Sequence, residues 1–451
     1  MKGLLERLDR HWFAPARLTD LALTRIVLVG FQLILLLVPA ISEKIGACTG
    51  CSLRYQLWLT TLDSSQYHPI PTLKVLLLPF GWGARPDAMF LHALWLGAVV
   101  SGICALVGLY TRPSLLFFAA ANTLLVAHAY SYNEAHHTEA LMTIAFWALA
   151  FGPSGAAWSL DELRGRVRCA VSTMRFEPQA AEPRKDPLAR WPLRLMQWLL
   201  VLSYVSAGIS KLRNGGLEWF NGYTLAYLVG ADGVQRGSAS GVWLAQQIPL
   251  LRIFSVVAVA TELGFVGAVL LPRFAWLFLL AGAGLHTAIY LTQRAPFPQF
   301  IALYVVFAET LRMYPPWPLS VRAPKARPKW TVIYDGLCPL CVRTMTVLDY
   351  LDLRSRLSFV DLERDWPKAG AVLGPGLTPQ QARHALHLAG PDGHVTRGFL
   401  AFREFARLLP PLWPLLPFLY LPLMDRVGAW AYDAVARNRS RQICRVEACA
   451  S

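Results

Sequence analysis

Two cysteines separated by two residues, Cys338-Pro339-Leu340-Cys341, form the most chemically suggestive arrangement in the chain. They follow Trp330–Tyr334, a β-branched and aromatic run that reads as a strand, and they open Pro339–Leu353, whose apolar spacing reads as a helix. A thiol at a helix N-terminus faces unpaired backbone N–H groups and the positive end of the helix dipole, which stabilise a thiolate. Pro339 suits the first helical position, where no N–H is needed. Cys338 is therefore read as the attacking thiol and Cys341, one turn on, as the resolving thiol. Half of a zinc site is the competing reading, since His384, His387 and His394 lie in the same region. A closed zinc site needs about four ligands, however, and no second close Cys pair accompanies these histidines.

A second set of reactive groups lies within or beside long apolar stretches, where an ionisable side chain is expensive and therefore a functional candidate. It comprises Asn133-Glu134-Ala135-His136-His137-Thr138-Glu139, Lys211, Glu262 and His286. A Lys packed among apolar helices loses solvation of its charged form, so a neutral amine becomes available as a base. The plainer alternatives are a Lys reaching to the membrane interface, and a Glu262 or His286 that merely bonds a neighbouring helix. Cys48-Thr49-Gly50-Cys51 is a further close pair. It reads either as a local disulfide or as a redox pair exchanging electrons with a membrane quinone. Cys444 and Cys449 read as unpaired thiols or as acceptors of a disulfide from Cys338, whereas Cys104 and Cys169 show no pattern.

The elements that must position these groups are dominated by apolar sequence. The 451 residues are 55% hydrophobic and 16% charged, with 43 Lys and Arg against 28 Asp and Glu and a formal charge of +15. That composition excludes a disordered chain, a small disulfide scaffold and a collagenous repeat, and it implies several membrane spans. Eight stretches approach the length needed to cross a bilayer: Leu21–Ile41, Ala88–Tyr110, Pro113–Tyr130, Thr138–Gly152, Leu193–Leu212, Leu250–Leu271, Phe274–Leu291 and Phe297–Met313. The first is too long for a signal peptide and lacks a cleavage site, so it reads as an anchor. Lys and Arg collect at the N-terminus, between the fourth and fifth stretches (Arg164 to Arg190) and after the eighth (Arg322 to Lys329). The positive-inside rule puts these segments, and hence both termini, in the cytoplasm. The expected location is a prokaryotic inner or plasma membrane. No nucleic-acid motif, phosphate-cradling Gly-rich loop or Gly-x-Ser-x-Gly elbow is present, so the basic residues are read as partners of lipid headgroups.

The chain is thus expected to be a multi-pass α-helical membrane protein of about eight spans with a C-terminal α/β thioredoxin-like domain. The expected boundaries are 1–320 for the membrane domain, 321–329 for a basic Pro-rich linker and 330–451 for the thioredoxin-like domain. In the last, further strands are read at Leu357–Asp361, His384–Ala389 and His394–Thr396, and a helix at Gly398–Leu409, giving the order βαβ then ββα. The Pro-broken run Leu408–Leu423 reads as domain packing, against the membrane or within the domain, and not as a span.

Asp335, Cys338 and Cys341, together with the ending Tyr432-Asp433-Ala434-Val435-Ala436-Arg437-Asn438-Arg439, resemble the DCC family of thioredoxin-like thiol-disulfide oxidoreductases. In the membrane part, Ala207-Gly208-Ile209-Ser210-Lys211-Leu212, then Trp219-Phe220-Asn221-Gly222-Tyr223, resembles the HTTM membrane family and its vitamin K-dependent γ-carboxylases. His137-Thr138-Glu139-Ala140-Leu141, Thr261-Glu262-Leu263 and His286 followed by Phe297-Pro298 extend that resemblance in the same order. It implies Lys211 as the base that deprotonates a vitamin K-like hydroquinone, and His137 as stabiliser of the resulting anion. Asn133, His136, Trp219, Glu262 and His286 would line the quinone site. The carboxylases carry two Asn before the His, where this chain has Ala135 and His136, and they have a large lumenal domain in place of the cytosolic redox domain. The resemblance accordingly implies a quinol site more than it implies carboxylation.

Three functions follow as expectations. One is a quinol-using membrane enzyme with a Lys base, coupled to cytosolic thiol-disulfide exchange. Another is a quinone-linked thiol-disulfide oxidoreductase without carboxylase chemistry. The last is a non-enzymatic scaffold in peptide export or immunity. The partners expected are the bilayer, a membrane quinone, a peptide or protein substrate at the outer face and a cytosolic thiol partner, with no nucleic acid and no metal.

Overall fold

The computed structural model describes residues 2–38, 52–77, 85–132, 137–178, 184–313, 329–374 and 377–439. It divides into two compact units: Met1–Asp161 with Pro183–Val321, and Glu162–Glu182 with Arg322–Ser451.

The first unit is a helical bundle. Five of its helices are long and apolar enough to cross a membrane: Leu18–Leu37, Ala88–Val107, Thr111–Tyr130, Pro187–Asn221 and Pro272–Gln293. A sixth span arises if Ala239–Ala245 and Ile248–Gly264, bent by 102° at their junction, are counted together. Among the described residues five or six of the expected eight stretches form helices of spanning length. The described part of the fourth stretch is the helix His137–Phe151, 15 residues. The eighth breaks into Pro298–Leu303, a 3₁₀ turn Tyr304–Phe307 and Ala308–Met313. Small residues allow close helix approach. Gly97 and Gly102 on one span lie against Phe117 and Phe118 on the next, where an added Cβ would collide with both rings. The turn between these two spans uses Gly108 at φ 70°.

Several polar groups buried in this bundle are paired across elements. Arg25 is fully buried and donates to the Ser154 and Trp158 carbonyls. Asp20 meets Arg312 at 2.5 Å. Gln32 donates to Asn122 at 2.8 Å, and Arg190 meets Glu309 at 3.1 Å.

The second unit is built on a four-stranded mixed sheet. Strand Trp330–Tyr334 pairs in parallel with Leu357–Asp361 on one side and antiparallel with His387–Ala389 on the other, and the latter pairs with Val395–Arg397. The strict alternation of the first strand fixes its faces. Val332 and Tyr334 join a core with Val342, Met345 and Leu348 of the following helix and with Phe405. Ile333 points the other way, to Val360, Leu362 and Ala369. The observed order is βαβ then ββα, with the short helices Trp366–Leu373 and Pro379–Ala382 added between the halves. The Pro-rich run forms a 3₁₀ segment Pro410–Leu415 and a short helix Leu416–Leu419, followed by the helix Met424–Asn438.

Part of the basic loop that was read only as a topology signal belongs to this second unit. Helix Leu160–Thr173 and the residues after it bring Ala170, Met174 and Phe176 into the same core as Cys338. Arg166 bonds Asp349 at 3.0 Å, and the Phe176 ring stands edge-on to Tyr334 and Phe359 at 5.9 and 4.8 Å. Phe176→Ala removes a buried ring and is expected to destabilise this unit by about 3 kcal/mol. Hydrogen exchange of the Trp330–Tyr334 amides in the full chain checks this, because a detached segment would leave their protection unchanged.

Candidate active site

The first strand of the small sheet delivers the chain to Cys338 through a tightly specified turn. The Leu337 N–H donates to Asp335 Oδ1 at 3.0 Å, an Asx-type turn, and the Cys338 N–H donates to the Asp335 carbonyl at 3.3 Å. Gly336 donates its N–H to Asp361 Oδ1 at 3.2 Å and packs so closely that any Cβ there would strike the Asp361 carboxylate. Only glycine permits that approach.

Cys338 then caps the helix Pro339–Leu351. Its extended backbone, φ −102° and ψ 114°, is that of an N-cap residue, and Pro339 takes the first helical position. The Cys341 N–H donates to Cys338 Sγ at 3.4 Å. Both cysteines are free thiols in this structure. A hydrogen bond from the Cys341 thiol is the strongest influence lowering the Cys338 pKa, to about 6. The Cys341 and Leu340 N–H groups and the Arg439 charge act in the same direction, against burial. The Cys341 thiol is pushed far up by the same contact, by burial and by the charges on Cys338 and Asp335. Arg439 Nη1 stands 3.5 Å from Cys341 Sγ and opposes that rise.

Access runs opposite to acidity. Cys338 is 0% exposed and Cys341 9%. Cys341 opens into an apolar pocket of about 430 Å³ whose walls include Leu340, Phe402, Tyr432 and Arg439. Arg439 was noticed in the sequence only as part of a terminal motif. That it would stand beside Cys341, 98 residues away, had no local signal.

The other expected site residues fall into separate groups. Lys211 Nζ donates to Glu262 Oε1 at 2.7 Å and lies 5.6 Å from the centre of the Trp219 ring, so three of them converge. The amine is thus held in an ion pair. Glu262 Oε2 and Trp219 Nε1, both buried, have no hydrogen-bond partner among the described residues. His286 sits instead among Phe297, Phe300 and Tyr204, with ring separations of 5.0, 4.9 and 5.5 Å. Two polar contacts went unnoticed in the sequence: the Tyr204–Tyr304 hydroxyl pair at 2.5 Å and the buried contact of His128 with Gln56. Each joins residues of different helices, which no local pattern reveals. Asn133, His136, Cys48, Cys51, Cys444 and Cys449 lie outside the described residues, as does the His137 side chain. Among the described residues no three His, Cys, Asp or Glu side chains converge on a metal-sized site, and His387 is buried on the third strand of the sheet.

The Cys338 thiolate gives a direct check. Absorbance near 240 nm, taken as the difference between the full chain and Cys338→Ser, is expected to rise through a midpoint near pH 6. Cys341→Ala removes the thiol donor but keeps the N–H, so the midpoint is expected to move up toward the ordinary thiol range; an unmoved midpoint would refute the role of that donor.

No curated protein and no solved structure matches the chain. A family model does match, over residues 332–445, and its description is DCC1-like thiol-disulfide oxidoreductase. That segment contains the capped Cys pair, most of the sheet behind it and Arg439: over these residues the chain is similar to DCC1-like thiol-disulfide oxidoreductases.

Proposed function

We propose that the chain is a membrane-anchored thiol-disulfide oxidoreductase whose redox unit works on the cytoplasmic side of a bilayer. The observation that carries this reading is the Cys338 sulfur placed as the cap of its helix, with a pKa lowered to about 6. At neutral pH that sulfur is a thiolate, the form that attacks disulfides. Attack on a substrate disulfide forms a bond from Cys338 to one substrate sulfur and releases the other as a thiolate. The Cys338 charge is then gone, and with it one of the influences that kept Cys341 protonated. Arg439 favours the Cys341 thiolate, which attacks Cys338 Sγ, closes the intramolecular disulfide and frees the second substrate thiol. Since Cys338 has no exposed surface in the dithiol state, the encounter must first uncover it.

A second reading concerns the membrane unit, and it is favoured by Glu262 Oε2 and Trp219 Nε1 lacking partners beside Lys211. A polar ligand such as a quinol would satisfy these atoms. Base chemistry at Lys211 would require that ligand to loosen the Lys211–Glu262 pair, because an ammonium locked to a carboxylate is no base. Carboxylation rests on resemblance alone.

The two readings separate experimentally. In lipid nanodiscs, Cys338→Ser is expected to abolish turnover of a fluorogenic disulfide, Cys341→Ser to trap a mixed disulfide on Cys338, and Lys211→Ala to leave turnover unchanged. Activity surviving in Cys338→Ser defeats the thiol reading. For the membrane site, a short-chain menaquinone is expected to quench indole fluorescence saturably, and Trp219→Phe and Glu262→Gln to weaken that response; an identical response in both variants defeats the second reading.

A further inference from the structure

Beside the Cys pair, and separate from the apolar pocket, runs a groove of about 680 Å³. One wall comes from helix Leu160–Thr173, through Arg168 and Ser172. The other comes from the start of the Cys-bearing helix, through Pro339, Leu340 and Arg343, and from Arg439 at the end of the last helix. Three guanidinium groups therefore line one groove, and no carboxylate does. Arg439 donates to the Arg383 carbonyl and to Cys341 Sγ. Arg168 and Arg343 are exposed at the surface and make no ion pair or side-chain hydrogen bond among the described residues. Elsewhere in the same unit, Arg166, Arg364, Arg383, Arg403 and Arg407 are each matched by an Asp or Glu. Arg168 and Arg343, unlike these, share a groove to which the protein chain supplies no carboxylate. Leu340 and Arg439 also line the pocket into which Cys341 opens, so the groove and that pocket adjoin.

We propose that this groove binds the anionic body of a low-molecular-weight thiol, bearing carboxylates or phosphates, which reduces the Cys338–Cys341 disulfide. The proposal rests on the thiol-disulfide reading above. Guanidinium groups form charge-assisted, often bidentate, hydrogen bonds with both classes of anion. In the first step the thiolate of the small thiol attacks Cys341 Sγ, the more exposed sulfur. The Cys338–Cys341 bond breaks, a bond from Cys341 to the small thiol forms, and Cys338 leaves as a thiolate held by the Cys341 N–H. Low leaving-group basicity speeds such an exchange, and Cys338 is the acidic member of the pair. A second molecule of thiolate attacks the small-thiol sulfur of the mixed disulfide. This releases the small disulfide and leaves Cys341, which takes a proton from water. Two thiols are oxidised to one disulfide, and one protein disulfide is reduced to a dithiol.

The test uses the oxidised full chain in neutral-lipid nanodiscs, with reduction of the Cys338–Cys341 peptide followed by differential alkylation and mass spectrometry. Glutathione, its diethyl ester (both carboxylates masked, the ammonium retained), coenzyme A and dithiothreitol are compared at equal thiolate concentration. Saturable reduction by glutathione or coenzyme A, at least about tenfold faster than by the ester, is expected. Whichever of the two saturates at the lower concentration identifies carboxylate or phosphate as the preferred anion. Arg168→Gln with Arg343→Gln is expected to bring the ratio to near one while leaving reduction by dithiothreitol unchanged. Arg354→Gln with Arg397→Gln, which alters the same net charge outside the groove, is expected to preserve it. Equal rates for acid and ester in the unaltered chain, or a ratio that survives the groove variant, overturns the proposal while thiol exchange stands. A disulfide that dithiothreitol cannot reduce would instead overturn the thiol-exchange reading itself.

Discussion

The hydrogen bond from the Cys341 N–H to the Cys338 sulfur is the contact on which the rest of the redox unit depends. It does two things with one atom. It satisfies a backbone donor that every helix leaves orphaned at its start, and it places a sulfur where the peptide dipoles favour negative charge. The turn before it is arranged so that no other geometry results: Asp335 closes the loop, and Gly336 lets Asp361 approach from the neighbouring strand. Because the thiolate belongs to the reduced state, holding it stabilises the dithiol relative to the disulfide. The oxidised pair is thereby a ready acceptor of electrons.

The helical unit, whose long apolar helices are compatible with a bilayer, solves the problem of buried charge differently. Several of its ionisable groups face one another in pairs, as Lys211 does Glu262 and Asp20 does Arg312, and Arg25 meets carbonyl oxygens. In such surroundings an isolated charge would be costly, and a matched pair with spare acceptor capacity is the arrangement that can still admit a ligand. Glu262 uses one oxygen on Lys211 and leaves the other without a partner among the described residues. The Lys211 charge is thus met by an opposite charge, and the Cys338 sulfur by a backbone N–H at a helix start.

Much of the redox unit was legible in the sequence because local chemistry dictates it. The strand Trp330–Tyr334 has the observed limits, and the helix after Cys338 ends at Leu351, two residues earlier than its apolar spacing suggests. The early stop has a visible cause: Asp352 turns its carboxylate to the N–H groups of Arg356 and Leu357, which ends the helix and starts the next strand. The membrane spans were less legible, since composition reports that a stretch is apolar and not that its helix is continuous. Phe297–Met313 is apolar enough, yet it folds as two short helices around a 3₁₀ turn. The segment Arg164 to Phe176 misled for the opposite reason. Its arginines dominated the reading, while Ala170, Met174 and Phe176, which carry it into the redox core, are too few to show as a pattern. Convergences such as Lys211 with Glu262, 51 residues apart, are set by tertiary packing and have no signature along the chain.

The separation of acidity from access within the Cys pair has a consequence for selectivity. Oxidants and alkylating agents attack thiolates, and they need to reach them. Cys338 holds the charge but is closed off, whereas Cys341 is reachable but strongly protonated. Neither sulfur alone offers both conditions in this structure, so attack by Cys338 requires that the sulfur first be uncovered. A disulfide between the two removes this requirement, because the outer sulfur then becomes an electrophile and needs no charge of its own. Its departing partner is the thiol that leaves most easily. The same asymmetry makes Cys338 the better leaving group of an oxidised pair, which is the chemistry that the proposed reduction at Cys341 uses.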